Sequence, residues 1–124
     1  MQERSQPRKA LVVNSDPDVQ RLLEEVLNEC GYQVRDATNT WEASQLFKTE
    51  DFSLVIGELE FPGFDGMQIL DLVQRLRSKA KVVLITSHVG AEIYLRVRAR
   101  GAFDCISKSL EKSALREVIV ATRN

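Results

Sequence analysis

Five times along the chain, a short strand-like run, apolar or alternating, gives way to a longer stretch whose apolar residues recur at helical spacing. Ala10-Leu11-Val12-Val13 and Val82-Val83-Leu84-Ile85 are apolar throughout. A strand reads that way when both of its faces are covered. Ser15-Asp16-Pro17 supplies a capping side chain and a proline suited to a first helical turn. Leu22, Leu23, Val26, Leu27 and Cys30 follow at helical spacing, and Gly31 ends the helix. Residues 32–37 predict a second strand, and 41–49 a short helix carrying Leu46 and Phe47. Residues 52–57 predict a third strand, and 66–77 a helix with Ile69, Leu70, Val73 and Leu76 on one face. A fourth helix over 91–100 pairs Ile93 with Val97 and stops at Gly101. Residues 103–106 complete the strands, and 110–122 close the chain with Leu115, Val118 and Ile119 inward.

Strands alternating with helices imply a parallel sheet covered on both faces. The expected fold is α/β: a flavodoxin-like, doubly wound (βα)5 domain with a five-stranded parallel sheet. The 124 residues suffice for one such domain and not for two. Residues 1–8 read as a flexible tail and 9–124 as the domain. No apolar run approaches the roughly 20 residues of a membrane helix, and a net charge of -1 gives no electrostatic claim on nucleic acid or a membrane. Two cysteines, Cys30 and Cys105, form no framework, so a reduced, cytoplasmic protein is expected.

In doubly wound sheets the functional site lies beyond the carboxyl ends of the strands. The residues there are polar: Asn14, Ser15 and Asp16 after the first strand, Glu58 after the third, Thr86 and Ser87 after the fourth, Ser107 and Lys108 after the fifth. They are expected to converge. An enzyme or cofactor binder is the least supported class. Gly63 to Gly66 lacks the lysine and hydroxyl of a phosphate loop. Cys30 to Arg35 is one residue short of a phosphatase cysteine-to-arginine loop and begins at a helix end. His88 is the only histidine and reads as a solvated loop residue. Trp41 and Phe47 read as helix packing.

Four local patterns occur in order: Asp16-Pro17-Asp18, Pro62-Gly63-Phe64-Asp65-Gly66, Thr86, and Gly101-Ala102 followed by Lys108. Together with the five-fold alternation they resemble the receiver domain of bacterial two-component response regulators, over residues 9–123. The resemblance implies a signalling module in a phosphorelay, without enzymatic activity of its own. It implies a histidine kinase upstream and a protein partner or output domain downstream. It also implies docking or dimerisation through the face of the fourth helix, fifth strand and fifth helix, with Arg96 and Arg100 as candidates. Arg96, Arg98 and Arg100 otherwise read as a solvated basic face.

Three features, spread over four positions, depart from the family pattern. The family's first loop opens with an acidic pair that helps hold Mg²⁺. Here that pocket is Asn14 and Ser15, with Asp16 one residue late and suited to capping a helix. Mg²⁺ needs hard oxygens anchored by carboxylates, so metal binding is doubtful and no cofactor is expected. The phosphoacceptor position holds Glu58 in place of aspartate. One added methylene moves the carboxylate out of line for phosphoryl transfer. The third departure is Cys105, at the position where the family has a switching aromatic ring.

Thr86 and Lys108 remain of the family's site. Both are expected to contact the Glu58 carboxylate. Two readings stay open: Glu58 mimics a phosphoryl group incompletely, with about one negative charge against roughly two, or it forms a structural ion pair in a dead site. Gly57 leaves room at the strand end, either for Glu58 to adjust or through drift. The expected function is an atypical, phosphorylation-independent receiver that acts as a protein-interaction module. The alternative is a Mg²⁺-dependent phosphoacceptor using Asp16 or another carboxylate.

Overall fold

The computed structural model describes residues 7–61 and 64–123. Most of the expected tail, and Pro62-Gly63 of the expected turn, lie outside the described residues. The elements run β1 (Arg8–Val13), α1 (Pro17–Glu29), β2 (Tyr32–Ala37), α2 (Thr40–Phe47), β3 (Leu54–Glu58), β4 (Glu60–Phe61), β5 (Phe64–Asp65), α3 (Met67–Arg75), β6 (Lys81–Thr86), α4 (Ala91–Ala99), β7 (Asp104–Ser107) and α5 (Lys112–Ala121).

Five strands form one parallel sheet in the order β2-β1-β3-β6-β7. The order reverses between β1 and β3, which makes the carboxyl ends of those two strands the crevice of the fold. All five β3 residues are buried, as a central strand covered on both faces requires. β4 and β5 form a small antiparallel hairpin that the sequence pattern did not announce.

Side chains alternate across each strand and build two cores. Leu11, Val55, Leu84 and Cys105 face α2, α3 and α4, packing against Ala43, Ile69, Val73 and Val97. Val12, Ile56, Val83 and Ile106 face α1 and α5, against Leu23, Leu27, Leu115 and Ile119. Each fully buried aliphatic side chain of this size contributes roughly 1.5–3 kcal/mol. On the α1–α5 side, Lys112 Nζ reaches Glu25 (2.8 Å) and Glu29 (3.2 Å), and Arg116 pairs with Glu29.

Local signals explain the boundaries. Asp16 caps α1 by accepting from the N–H groups of Asp18 and Val19, and Pro17 opens the helix. Gly31 (φ 89°) and Gly101 (φ 110°) follow α1 and α4 in the left-handed region that favours glycine. α2 does not follow expectation throughout. Phe47 packs edge-on against Phe52 with ring centroids 5.3 Å apart, but Trp41 is 68% exposed and does not pack the helix. Trp41 lies in the first turn, beyond the stripe centred on buried Ala43.

Candidate functional site

Glu58 ends β3 beside Ile85 of β6 and is only 5% exposed. Its Oε2 accepts from Lys108 Nζ at 2.9 Å. Its Oε1 accepts from the Ser15 N–H (3.3 Å) and from Ser15 Oγ (3.1 Å). The loop after β7 carries Lys108 inward, held by a bond from the Lys108 N–H to the Thr86 carbonyl (3.0 Å). The same ammonium lies 3.5 Å from Asp16 Oδ2. Lys108 therefore sits between two carboxylates. Its pKa is raised, first by the hydrogen bond to Glu58.

Asp16 does two things. Its Oδ1 caps α1 at 3.0 and 3.4 Å, and its Oδ2 faces Lys108. The backbone bonds from Asp18 and then Val19 hold its carboxyl below the ordinary carboxylate range. Asn14 is buried at the end of β1 and its Oδ1 accepts from the Asp16 N–H at 2.9 Å. Its Nδ2 is buried without a partner.

Thr86 differs from expectation. Its hydroxyl donates to Glu60 Oε1 at 2.9 Å, not to Glu58, and accepts from the His88 N–H at 3.2 Å. The cause is local. Ser15 and Lys108 draw the Glu58 carboxylate towards β1 and β7. The Leu59 N–H bonds to the Ile85 carbonyl at 2.7 Å and extends the β3–β6 pairing by one step. Glu60 then returns beside Thr86. The sequence reading missed Glu60. The signal was the spacing Glu58-Leu59-Glu60, which places two carboxylates on one side of an extended chain.

Gly57 also differs. A Cβ there would stand 2.3 Å from Ile69 Cδ1, so the space is filled from α3 rather than left for Glu58 to move. A Cβ on Gly66 would meet the Glu58 carbonyl oxygen at 2.4 Å, so glycine there lets the start of α3 approach the β3 end. Cys105 is buried, and its thiol pKa is raised by burial first, then by Asp104 and Glu60. That environment disfavours the reactive thiolate. His88 is exposed in the loop after β6. Ser107 turns aside to Ser109, hydroxyl to hydroxyl, at 2.8 Å.

Arg96 and Arg100 are both exposed on α4. They line the cleft between α3 and α4, and Arg100 pairs with Asp71 of α3 at 2.7 Å. The spacing i, i+4 puts both on one side of α4, and that side faces α3. Arg98 points elsewhere, to the Tyr94 hydroxyl at 2.8 Å.

The donor set for a divalent ion is poor. Mg²⁺ demands a near-octahedral shell of oxygens. Glu58 and Asp16 flank an ammonium, and the Asn14 oxygen is committed to a backbone N–H. Among the described residues no three acidic, histidine or cysteine side chains gather as a metal set.

The family model of the response regulator receiver domain matches residues 10–120. The chain belongs to that family. This receiver domain is 30% identical over 112 residues to the response regulator protein PilR of Pseudomonas aeruginosa, covering 90% of this chain and 25% of that one. It is 26% identical over 111 residues to sporulation initiation phosphotransferase F of Bacillus subtilis, covering 90% of each. The chain spans about a quarter of the length of several curated relatives. A chain of the CheX–CheY–BeF3–Mg complex from Borrelia burgdorferi has the same fold, with a TM-score of 0.85 at 19% identity, covering 95% of this receiver and 90% of that chain. No described helix of the receiver is long and apolar enough to cross a membrane.

Proposed function

We propose that this receiver domain signals without taking up a phosphoryl group, as a protein-interaction module held in one conformation by its own side chains. The observation that carries the reading is the position of Lys108. Its ammonium stands 2.9 Å from Glu58 and 3.5 Å from Asp16, where it neutralises the carboxylates a metal ion would need. Phosphoryl transfer to a carboxylate relies on Mg²⁺ to offset charge on the incoming group. With that role filled internally, Glu58 has neither metal nor an in-line approach.

Asp16 is no better placed as a phosphoacceptor. One oxygen caps α1 and the other faces Lys108. The contacts a phosphoryl group would make are divided: Glu58 takes the ammonium and Glu60 takes the Thr86 hydroxyl. Partners on this reading are an output domain or a separate protein, with a histidine kinase upstream only as a binding partner. The domain has no catalytic role in the reading, and no cofactor.

The test is an amide NMR spectrum of the domain with and without Mg²⁺ and beryllofluoride. The proposal expects no shifts at Glu58, Thr86, Lys108 or along α4. Saturable shifts at those amides would sink it and return the domain to the phosphorylatable receivers.

A further inference from the structure

Trp41 is the chain's single tryptophan and stands 68% exposed in the first turn of α2. Beside it opens a shallow depression of about 530 Å³, lined by Asp36, Trp41, Glu42, Gln45 and Leu46. Among the described residues the lining holds two carboxylates and no cation. A third carboxylate stands behind Asp36: Gln20 Nε2 donates to Glu24 Oε2 at 2.9 Å and also to Asp36 Oδ1. An amide, rather than a cation, bridges that pair. The Asp36 pKa is pushed up to about 6, by burial first and then by Glu24.

The chemistry of the patch is specific. An indole face attracts a cation. Carboxylates at its rim complete the recognition of a guanidinium or ammonium. Trp41 and Leu46 offer apolar surface to the aliphatic stem of such a side chain. The patch borders β2, which among the described residues is an edge strand of the sheet beside β1.

We infer that the α2–β2 edge is a docking surface for a basic segment of a partner protein, which lays an arginine or lysine on Trp41 and directs its charge to Asp36 and Glu42. Charge complementarity selects this occupant. Nucleic acid and anionic lipid carry the wrong sign. On α4 of a second copy, Arg100 is tied to Asp71 and Arg98 to Tyr94, and dependence on protein concentration in the titration separates a second copy from a basic partner segment.

Trp41 emission reports this surface alone, because the chain has no other tryptophan. The experiment titrates the whole chain with a capped, alanine-based helical peptide bearing arginines. A matched peptide bearing glutamates is the control. The expected result is a saturable change in emission with the first peptide and none with the second. The Glu24→Gln/Asp36→Asn variant should need about fivefold more arginine peptide for half-saturation, the upper end for an exposed charge pair. No response, an equal response to both peptides, or an unchanged half-saturation in the variant would overturn the inference. So would an emission change that follows protein concentration without peptide, which would mean that a second copy covers the ring.

Discussion

The hydroxyl of Thr86 donates to Glu60, 2.9 Å away, and the same oxygen accepts the His88 N–H. One buried hydroxyl thus ties the segment after β3 to the loop that leads into α4. Thr86→Val keeps the shape and removes both bonds. It should cost about 1 kcal/mol in urea unfolding and shift the amides of residues 87–91. A variant as stable as the parent, with those amides unmoved, would reduce the contact to an accident of proximity.

Lys108 and Glu58 are coupled more strongly because Glu58 is buried. Lys108→Met leaves that carboxylate without its cation and should cost about 2 kcal/mol, below the cost of breaking a fully buried pair. The Lys108 pKa is raised from an ordinary 10.5. Its contribution is therefore present in full below about pH 10 and lost only as the pH rises through the shifted value. The deficit of Lys108→Met should be the same at pH 6 and pH 9. A deficit that changes across that window would place the effect on another group.

Gly57 and Ile69 should show strong non-additivity. Gly57→Ala places a methyl group 2.3 Å from Ile69 Cδ1 and should destabilise the fold by about 1–2 kcal/mol. Ile69→Val deletes that carbon at a cost of about 1 kcal/mol. The double variant should recover at least half of the summed loss, as read from thermal melts. Simple additivity would mean that α3 yields without consequence.

Asp36 gives the pH dependence. Its folded pKa is about 6 against an ordinary 3.8. The native state therefore holds a proton that the unfolded chain releases between those values. Stability from this group is complete below pH 3.8 and is lost as pH rises through about 6. Asp36→Asn should raise stability at pH 8 by less than about 1 kcal/mol, given the exposure of the group. The gain should vanish near pH 4. Equal gains at both pH values would contradict the assignment.

On the proposed reading, phosphoryl chemistry at this site should require more than one substitution. Glu58→Asp alone should leave the domain unresponsive to Mg²⁺ and beryllofluoride, because Asn14 and Ser15 contribute only neutral oxygens. Adding Asn14→Asp and Ser15→Asp supplies the missing charge and should give saturable amide shifts. A response from Glu58→Asp alone would show that Lys108 does not exclude the ion.

The sheet and its helices were legible because each element carries its own signal. β1 and β6 carry apolar runs with nowhere to go but the middle of a sheet, and Asp16-Pro17 marks the start of α1. The convergence of Asn14, Ser15, Asp16, Glu58 and Lys108 followed from chain topology. What the pattern could not give was the choice between nearby partners. Thr86 has two carboxylates within two residues of each other, and Glu60 is chosen only because Ser15 and Lys108 hold Glu58 away. Arg96 and Arg100 share a helix face by periodicity, but which neighbour that face meets depends on how α3 and α4 pack. Trp41 has the composition of a core residue and the position of a surface one. Only the orientation of α2 separates the two.

The bonds between α1 and α5 join residues 83 to 87 positions apart. Leu115 and Ile119 of α5 also close the face that α1 half covers. A ribosome releases α1 long before α5 exists. Until residues 112–121 emerge, Val83, Ile85 and Ile106 lack the Leu115 and Ile119 side chains that cover them on that side. Chains cut short before α5 would expose an apolar sheet face, the kind of surface that promotes aggregation.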